Sequence, residues 1–118
     1  MTIALICNRE KQTLLLNFAK AYHSVLSKHK VISSDFAAEV IEQNCPVQVS
    51  KLTALQGHSS QLISPKIACG EIDMLIFFKG EVVAERADLE MFGLCDRYNI
   101  PYATNLASAE ILIKSLIK

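Results

Sequence analysis

The chain has 118 residues, of which 51% are hydrophobic and 20% are charged, a composition typical of soluble globular proteins. This length suffices for one domain with its own core and is too short for two, so we expect a single domain over residues 1–118. Twelve basic residues balance twelve acidic ones. That balance argues against a nucleic-acid partner, which usually requires a basic excess, and leaves little charge repulsion to oppose self-association.

Membrane, secretory and metal-binding classes are also disfavoured. No apolar run reaches the roughly 18 residues that cross a bilayer. The N-terminal stretch MTIALICNRE has neither a positive leader nor a cleavage site, so we expect a cytoplasmic protein. Cys7, Cys45, Cys69 and Cys95 are far apart and form no C-x-x-C pair. We therefore predict reduced, mostly buried thiols and no metal site.

The first half of the chain alternates apolar runs with amphipathic segments. From Glu10 to Lys28, apolar residues recur at every third or fourth position, which predicts an amphipathic helix. A shorter helix is predicted over DFAAEVIEQ (35–43), with Ser34 or Asp35 as its N-cap. The strands predicted around these helices are TIALIC (2–7), KVIS (30–33) and VQVSKL (47–52).

The second half continues the alternation. Ser64 precedes Pro65, and proline is favoured at the first position of a helix, so a helix is predicted to begin there. IDMLIFF (72–78) is apolar almost throughout, as expected of a central parallel strand that is covered on both faces. The remaining elements are a helix with Met91, Leu94, Cys95 and Tyr98 on its apolar stripe, a strand at IPYAT (100–104) and a helix at SAEILIKSLI (108–117).

This order of elements predicts an α/β fold with three layers. A Rossmann-like parallel sheet of about five strands would carry helices on both faces, joined by right-handed crossovers. In such sheets ligands bind outside the carboxyl ends of the strands. The strand ends, and hence the expected site, fall near residues 7–9, 33–35, 53–60, 79–85 and 104–106.

Three segments of this framework resemble the methylglyoxal synthase family. They are IALI at 3–6, GEIDMLIFF at 70–78 and LCDRYNIPYATN at 94–105. With a deletion of about three residues after Phe78, the resemblance covers nearly the whole chain. It implies the methylglyoxal-synthase-like fold, a homo-oligomer, and a lyase that releases phosphate from dihydroxyacetone phosphate without a cofactor.

The phosphate-binding positions of that family are substituted in this chain. After the first strand the family has a His-Asp pair, where this sequence has Asn8 and Arg9. The family's phosphate-binding lysine corresponds to Gln12, although Lys11 is adjacent. Its Gly-Thr-Thr-Gly turn corresponds to residues 35–38, which read Asp-Phe-Ala-Ala. An aspartate at the start of this turn would repel phosphate.

The catalytic positions are substituted as well. The family's aspartate base corresponds to Ser60, and a neutral hydroxyl is a poor base at pH 7. The loop of the family's catalytic histidine is shortened, and residues 84–87 contain no histidine. His58 beside Ser60 has the residue types of a nucleophile and its base, but no third orienting residue is identifiable. Glu81, Glu85 and Asp88 are near enough to supply a relocated base, although nothing in their spacing requires it.

The sequence therefore predicts a methylglyoxal-synthase-like protein without synthase activity. It would bind a small phosphorylated metabolite or inorganic phosphate, or act through self-assembly, with no cofactor, nucleic-acid or membrane partner. The alternatives are an interaction module with an empty cleft and an enzyme with a rearranged site, its base being His58, Glu85 or Asp35. The residues expected to contact a ligand are Asn8, Arg9, Lys11, Gln12, Ser34, Asp35, Gly57, Ser59, Ser60 and Arg86.

Overall fold

The strands predicted from the apolar runs lie side by side in one sheet. The computed structural model describes residues 1–52, 59–81 and 83–117. Within these residues the strands are β1 (Thr2–Cys7), β2 (Lys30–Ser34), β3 (Val49–Leu52), β4 (Met74–Phe78) and β5 (Tyr102–Ala103). All neighbouring strands are parallel, and their order is β3-β2-β1-β4-β5.

Helices cover both faces of this sheet, as the alternating pattern predicts. In the described residues they are α1 (Gln12–Ala21), α2 (His23–Leu26), α3 (Asp35–Asn44), α4 (Ser59–Ala68), α5 (Arg86–Arg97) and α6 (Leu106–Lys114). Ile3 and Leu5 of β1 pack on the face that carries α1, α3 and α6. Ala4 and Ile6 face the other way, toward α4 and α5. Successive side chains of a strand point to opposite faces, so the apolar β1 contributes to both cores and the three-layer α/β fold is confirmed.

The long helix predicted from Glu10 to Lys28 is divided. A turn of 3-10 helix at Arg9–Lys11 precedes α1, and Tyr22 separates α1 from α2. Tyr22 has φ −117° and ψ 24°, outside α-helical geometry. Its hydroxyl donates a hydrogen bond of 2.6 Å to Glu110 on α6. The apolar periodicity continues across this break, which is why the sequence alone predicts one helix.

The helix predicted to begin at Pro65 begins earlier. It starts at Ser59, so Pro65 lies inside α4 and Ser64 is not its N-cap. Proline lacks an N–H and therefore removes one intrahelical hydrogen bond. The helix nevertheless continues, and Cys69 N–H donates to the Pro65 carbonyl at 3.0 Å. Ile63 and Ile67, both buried against the sheet, offset this loss.

Burial and helix length bear on two further features of the chain. All four cysteines are free thiols, as predicted, but only Cys7 and Cys95 are buried, whereas Cys45 is half-buried and Cys69 is exposed. In the described part of the chain, no helix has the length and apolar character needed to cross a bilayer.

Candidate ligand site at the carboxyl ends of the strands

The order in which the chain adds strands to the sheet reverses between β1 and β4. From β1 the chain proceeds to β2 and β3 on one side, and then returns to β4 and β5 on the other. The helix that follows β1 packs on one face, and the helix that follows β4 packs on the opposite face. Open α/β sheets form their binding crevice at such a switch point, outside the carboxyl ends of the two strands. The residues after Cys7 and Phe78 therefore border the candidate site.

Hydrogen bonds fix the two strand ends to each other. Cys7 pairs with Phe78 in the sheet register, and Asn8 N–H donates to the Phe78 carbonyl at 3.2 Å. The Asn8 side-chain amide donates to the Lys79 carbonyl at 2.8 Å. The predicted ligand residue Asn8 is thus a half-buried link between the ends of β1 and β4.

Two lysines meet at Gly80. Gly80 has φ +72°, a backbone conformation that suits glycine. A Cβ at this position would lie 2.5 Å from Cε of Lys11, so the Lys11 side chain occupies the space above the glycine. Lys79 Nζ donates to the Gly80 carbonyl at 3.5 Å. Both lysines are half-buried, and their side chains approach the same residue from different elements.

The carboxyl end of β2 presents hydroxyls instead of a glycine turn. Ser33 and Ser34 are 0% and 7% exposed. Their hydroxyls have no hydrogen-bond partner in the structure, within the residues it describes. Ser34 is the N-cap of α3 by position but makes no side-chain capping bond, and Asp35 is the first residue of the helix. The prediction that Ser34 or Asp35 caps α3 is therefore wrong for the Ser34 side chain, although Ser34 occupies the N-cap position, and it stays a prediction for Asp35.

Arg9 lies on the side of the site formed by α3. Its guanidinium carbon is 4.8 Å from the centre of the Phe36 ring, within the range of a cation–π contact. Phe36 follows Asp35 in the first turn of α3. Arg9 is therefore associated with the end of β2, whereas Lys11 is associated with the end of β4.

Ser60 lies against a carboxylate. Its hydroxyl donates a short hydrogen bond to Oδ1 of Asp88, and Ser60 and Asp88 are 2% and 8% exposed. Asp88 Oδ2 accepts from the Glu85 N–H at 3.0 Å. Glu85 is the N-cap of α5 and completes a reciprocal capping box with Asp88. The first turns of α4 and α5 are thus joined through one buried carboxylate.

The other residues predicted to contact a ligand make no contact that defines the site, or lie outside the described residues. Gln12 is half-buried at the start of α1, and Ser59 is the first residue of α4. Arg86 forms a 3.3 Å ion pair with Glu90 one turn along α5, and its side chain is 94% exposed. Gly57 and His58 lie outside the described residues.

The thiol of Cys7, which directly precedes Asn8, is expected to be unreactive. Burial raises the pKa of Cys7, the last residue of β1, to about 12. It is therefore a protonated thiol at neutral pH, and the thiolate is the nucleophilic form of cysteine. In the part of the chain that the structure describes, no three His, Cys, Asp or Glu side chains are grouped so as to hold a metal ion.

Sequence reasoning included two further residues only within the strand-end range 79–85, without naming them as ligand residues, and it undervalued a third residue. Lys79 and Gly80 follow the most apolar strand directly, so the rule that ligands bind at carboxyl ends was sufficient to select them. Asp88 was considered only as one of several acidic residues near the cleft. Its contact with Ser60 joins residues 28 positions apart, and no local pattern reveals such a contact.

Similar proteins share both sequence and fold with this chain. A methylglyoxal synthase of Caldicellulosiruptor saccharolyticus is 36% identical over 119 residues, which cover 98% of this chain and 84% of that protein. One of Natranaerobius thermophilus is 33% identical, with 99% and 100% coverage. The crystal structure of the methylglyoxal synthase from Elizabethkingia anophelis NUHP1 matches with a TM-score of 0.83 at 27% identity, covering 95% of this chain and 76% of that one. No family model matches.

Proposed function

Because the chain belongs to the methylglyoxal synthase family, as these identities show, we propose that it binds a small phosphorylated or anionic metabolite without catalysing the synthase reaction. The binding site is the carboxyl edge of the sheet, around Asn8, Lys11 and Ser34. The observation that carries the proposal is the state of Ser60, which donates its proton to Asp88 at the position where the family resemblance places a catalytic base.

Proton abstraction from carbon needs a group that is ready to accept a proton within hydrogen-bond reach of the substrate. Ser60 is a donor in its contact with Asp88. Asp88 itself has both carboxylate oxygens engaged, one by Ser60 and one by the Glu85 N–H, and it is buried. The arrangement holds two helices together and leaves neither group directed at a ligand.

A retained synthase activity is the second candidate. One observation favours it: the hydrogen bond from Ser60 brings a carboxylate next to the position of the family base. Rotation of the Ser60 hydroxyl away from Asp88 would release one carboxylate oxygen. In that mechanism Asp88 takes the proton, and the lysines beside Gly80 stabilise the developing negative charge.

Phosphate release from dihydroxyacetone phosphate distinguishes the two candidates. Purified protein is compared with the Ser60→Ala and Asp88→Asn variants and with the Caldicellulosiruptor saccharolyticus relative under the same conditions. We expect no release above background from the protein and both variants. Release that is lost in Asp88→Asn and kept in Ser60→Ala would establish the lyase and overturn the proposal.

Ligand binding is tested separately from turnover. A ligand present at a hundred times its dissociation constant stabilises the folded state by about 2.7 kcal/mol. Inorganic phosphate and dihydroxyacetone phosphate are therefore expected to raise the melting temperature. Chloride at the same ionic strength is the control. If neither phosphate compound shifts the transition, the binding role is wrong, and light scattering over a range of concentrations would then test self-assembly as the function.

A further inference from the structure

We infer that the anion-binding group of the site is the lysine pair at the switch point, Lys11 and Lys79, and not the first turn of α3. The ligand is a phosphorylated polyhydroxy compound whose phosphate lies beside Gly80 and whose hydroxyl end lies beside Ser34. This inference rests on the proposed function and adds the position of the phosphate and the class of its carrier.

The packing of Lys11 is the first step. Its aliphatic chain lies over Gly80 so closely that a single methyl group on the glycine would meet Cε at 2.5 Å. Long side chains normally lose rotamer freedom when they bind, and this contact restricts Lys11 in advance. In the described residues, the recorded ion pairs join Lys51 with Glu39, Lys66 with Glu71 and Arg86 with Glu90, and none includes Lys11.

The second lysine reaches the same point. Lys79 directly follows β4, and its ammonium group contacts the Gly80 carbonyl. Lys11 and Lys79 therefore both carry their positive charge beside Gly80, and a positive charge favours an anion near it. The position is also the topological switch point of the sheet, where α/β proteins bind their ligands. The positively charged lysine side chains and the binding crevice of the sheet are therefore found at the same place, beside Gly80.

The first turn of α3 has the opposite character. A helix N-terminus attracts anions through its free N–H groups, but here Asp35 occupies the first helical position. Its carboxylate is itself a suitable partner for the positive end of the helix dipole, so it competes with a bound anion. The guanidinium of Arg9 lies over the ring of Phe36 in this turn. These features disfavour phosphate at α3.

Hydroxyl groups suit the α3 side. The buried hydroxyl of Ser34, the last residue of β2, makes no hydrogen bond within the described structure, and buried polar groups of this kind are normally satisfied. A serine hydroxyl both donates and accepts hydrogen bonds, and the carboxylate of the neighbouring Asp35 accepts them. Ligand hydroxyls, which also donate and accept, can therefore bind on this side. The ends of β2 and β4 are two strand spacings apart, about 10 Å. A five-carbon chain with a terminal phosphate spans that interval.

Isothermal titration with inorganic phosphate, ribose 5-phosphate and ribose tests the assignment. The variants are Lys11→Gln, Lys79→Gln and Arg9→Gln, each of which removes one positive charge. Lys28→Gln is the matched control, because Lys28 is exposed and precedes β2 at the opposite edge of the sheet. Ser34→Ala tests the hydroxyl end.

We expect Lys11→Gln and Lys79→Gln each to raise the Kd for inorganic phosphate and for ribose 5-phosphate about tenfold, the effect of losing one charge-assisted hydrogen bond. Arg9→Gln and Lys28→Gln should change both constants less than about threefold, because these side chains would attract the anion only over a long, screened distance. Ser34→Ala should weaken ribose 5-phosphate and leave inorganic phosphate unchanged. Ribose alone should bind more weakly than either phosphate.

Three results would overturn the inference. One is a loss of phosphate binding in Arg9→Gln or Ser34→Ala with the lysine variants unaffected, which would place the phosphate at α3 and leave the proposed function intact. Another is equal affinity for inorganic phosphate and ribose 5-phosphate, which would show that the site does not recognise the hydroxyl groups of the ligand. The third is no binding of any probe to the unmodified protein, and only this result also removes the proposed function.

Discussion

The Ser60 hydroxyl and the Asp88 carboxylate form a buried hydrogen bond between the first turns of α4 and α5. Asp88 also accepts from the backbone of Glu85, so one side chain both caps its own helix and holds the neighbouring helix. A carboxylate engaged in this way joins the first turns of two helices that follow neighbouring parts of the sheet. Its contribution to stability can be separated from any chemical role.

Removing the Ser60 hydroxyl and removing the Asp88 carboxylate should both destabilise the protein, the second more than the first. Ser60→Ala leaves one buried carboxylate oxygen without its donor, which costs about 1–3 kcal/mol. Asp88→Ala also loses the capping box and should cost roughly 1 kcal/mol more. Urea unfolding measures both. Ser27→Ala is the control, since the Ser27 hydroxyl is exposed and donates to the nearby Ser24 carbonyl, so its loss should change stability by less than about 0.5 kcal/mol. Equal losses in Ser60→Ala and Ser27→Ala would contradict the structural role.

Placing an aspartate at position 60 should create a pH-dependent defect. Ser60→Asp brings two carboxylates together, which raises the pKa of one of them. A carboxyl group whose pKa is raised on folding favours the folded state at low pH, and the advantage is lost as the pH rises through the raised pKa. We therefore expect Ser60→Asp to be destabilised more at about pH 7 than at about pH 4, near the ordinary aspartate pKa.

The double variant provides the control for that prediction. Asp88→Asn in the Ser60→Asp background removes the second negative charge and keeps a side chain of the same shape. The two substitutions should be clearly non-additive, as expected for residues in contact. Thermal unfolding of the wild type, both single variants and the double variant at each pH gives the coupling. Additive effects that do not vary with pH would show that the two side chains do not interact.

Two glycines with the same backbone conformation offer a paired test of the lysine site. Gly80 and Gly70 have φ +72° and +76°, so Gly→Ala at either position should cost about 1 kcal/mol. A Cβ at Gly70 would meet nothing within 4 Å, whereas at Gly80 it would displace Lys11. The two variants should therefore unfold alike, but only Gly80→Ala should bind inorganic phosphate more weakly, as measured by titration. Equal binding by both would mean that the position of Lys11 is irrelevant to the anion.

The fold was predictable because its signals are local. Apolar runs such as IDMLIFF and the alternation of strands with amphipathic segments were sufficient to specify a covered parallel sheet. The break at Tyr22 was not predictable, because the apolar periodicity continues through it and the bond to Glu110 depends on tertiary packing. Pro65 led to a wrong helix start, because packing of the flanking isoleucines outweighs the lost hydrogen bond.

The candidate site was predictable only in outline. The rule about strand ends selects the carboxyl edge of the sheet, and the structure has Asn8 and Ser34 at that edge. It gives no information on which way Lys11 extends, since that depends on the absence of a side chain at Gly80. The partner of Ser60 is likewise set by how α4 and α5 pack on the sheet. Contacts of this kind follow from the assembled layers and not from residue spacing.

The burial of the thiols predicts the order in which they react. Burial raises the pKa of Cys7 to about 12 and that of Cys95 to about 11, whereas Cys69 is exposed. In native protein at about pH 8, an aromatic disulfide reagent should react rapidly with Cys69, more slowly with the half-buried Cys45, and with Cys7 and Cys95 only after unfolding. The Cys69→Ser variant, which should lose the fast phase alone, identifies it.

The same two buried thiols should make the protein sensitive to base. Their pKa values in the folded state exceed the ordinary value of 9.0, so the unfolded chain releases these protons first as the pH rises. The stabilisation is therefore complete below about pH 8 and declines through the range between the ordinary and the raised values. Cys95→Ala should flatten part of this decline in urea unfolding measured from about pH 8 to 11. Rapid reaction of Cys7 or Cys95 in the native state, or a stability that stays constant over this range, would show that these thiols are accessible to water.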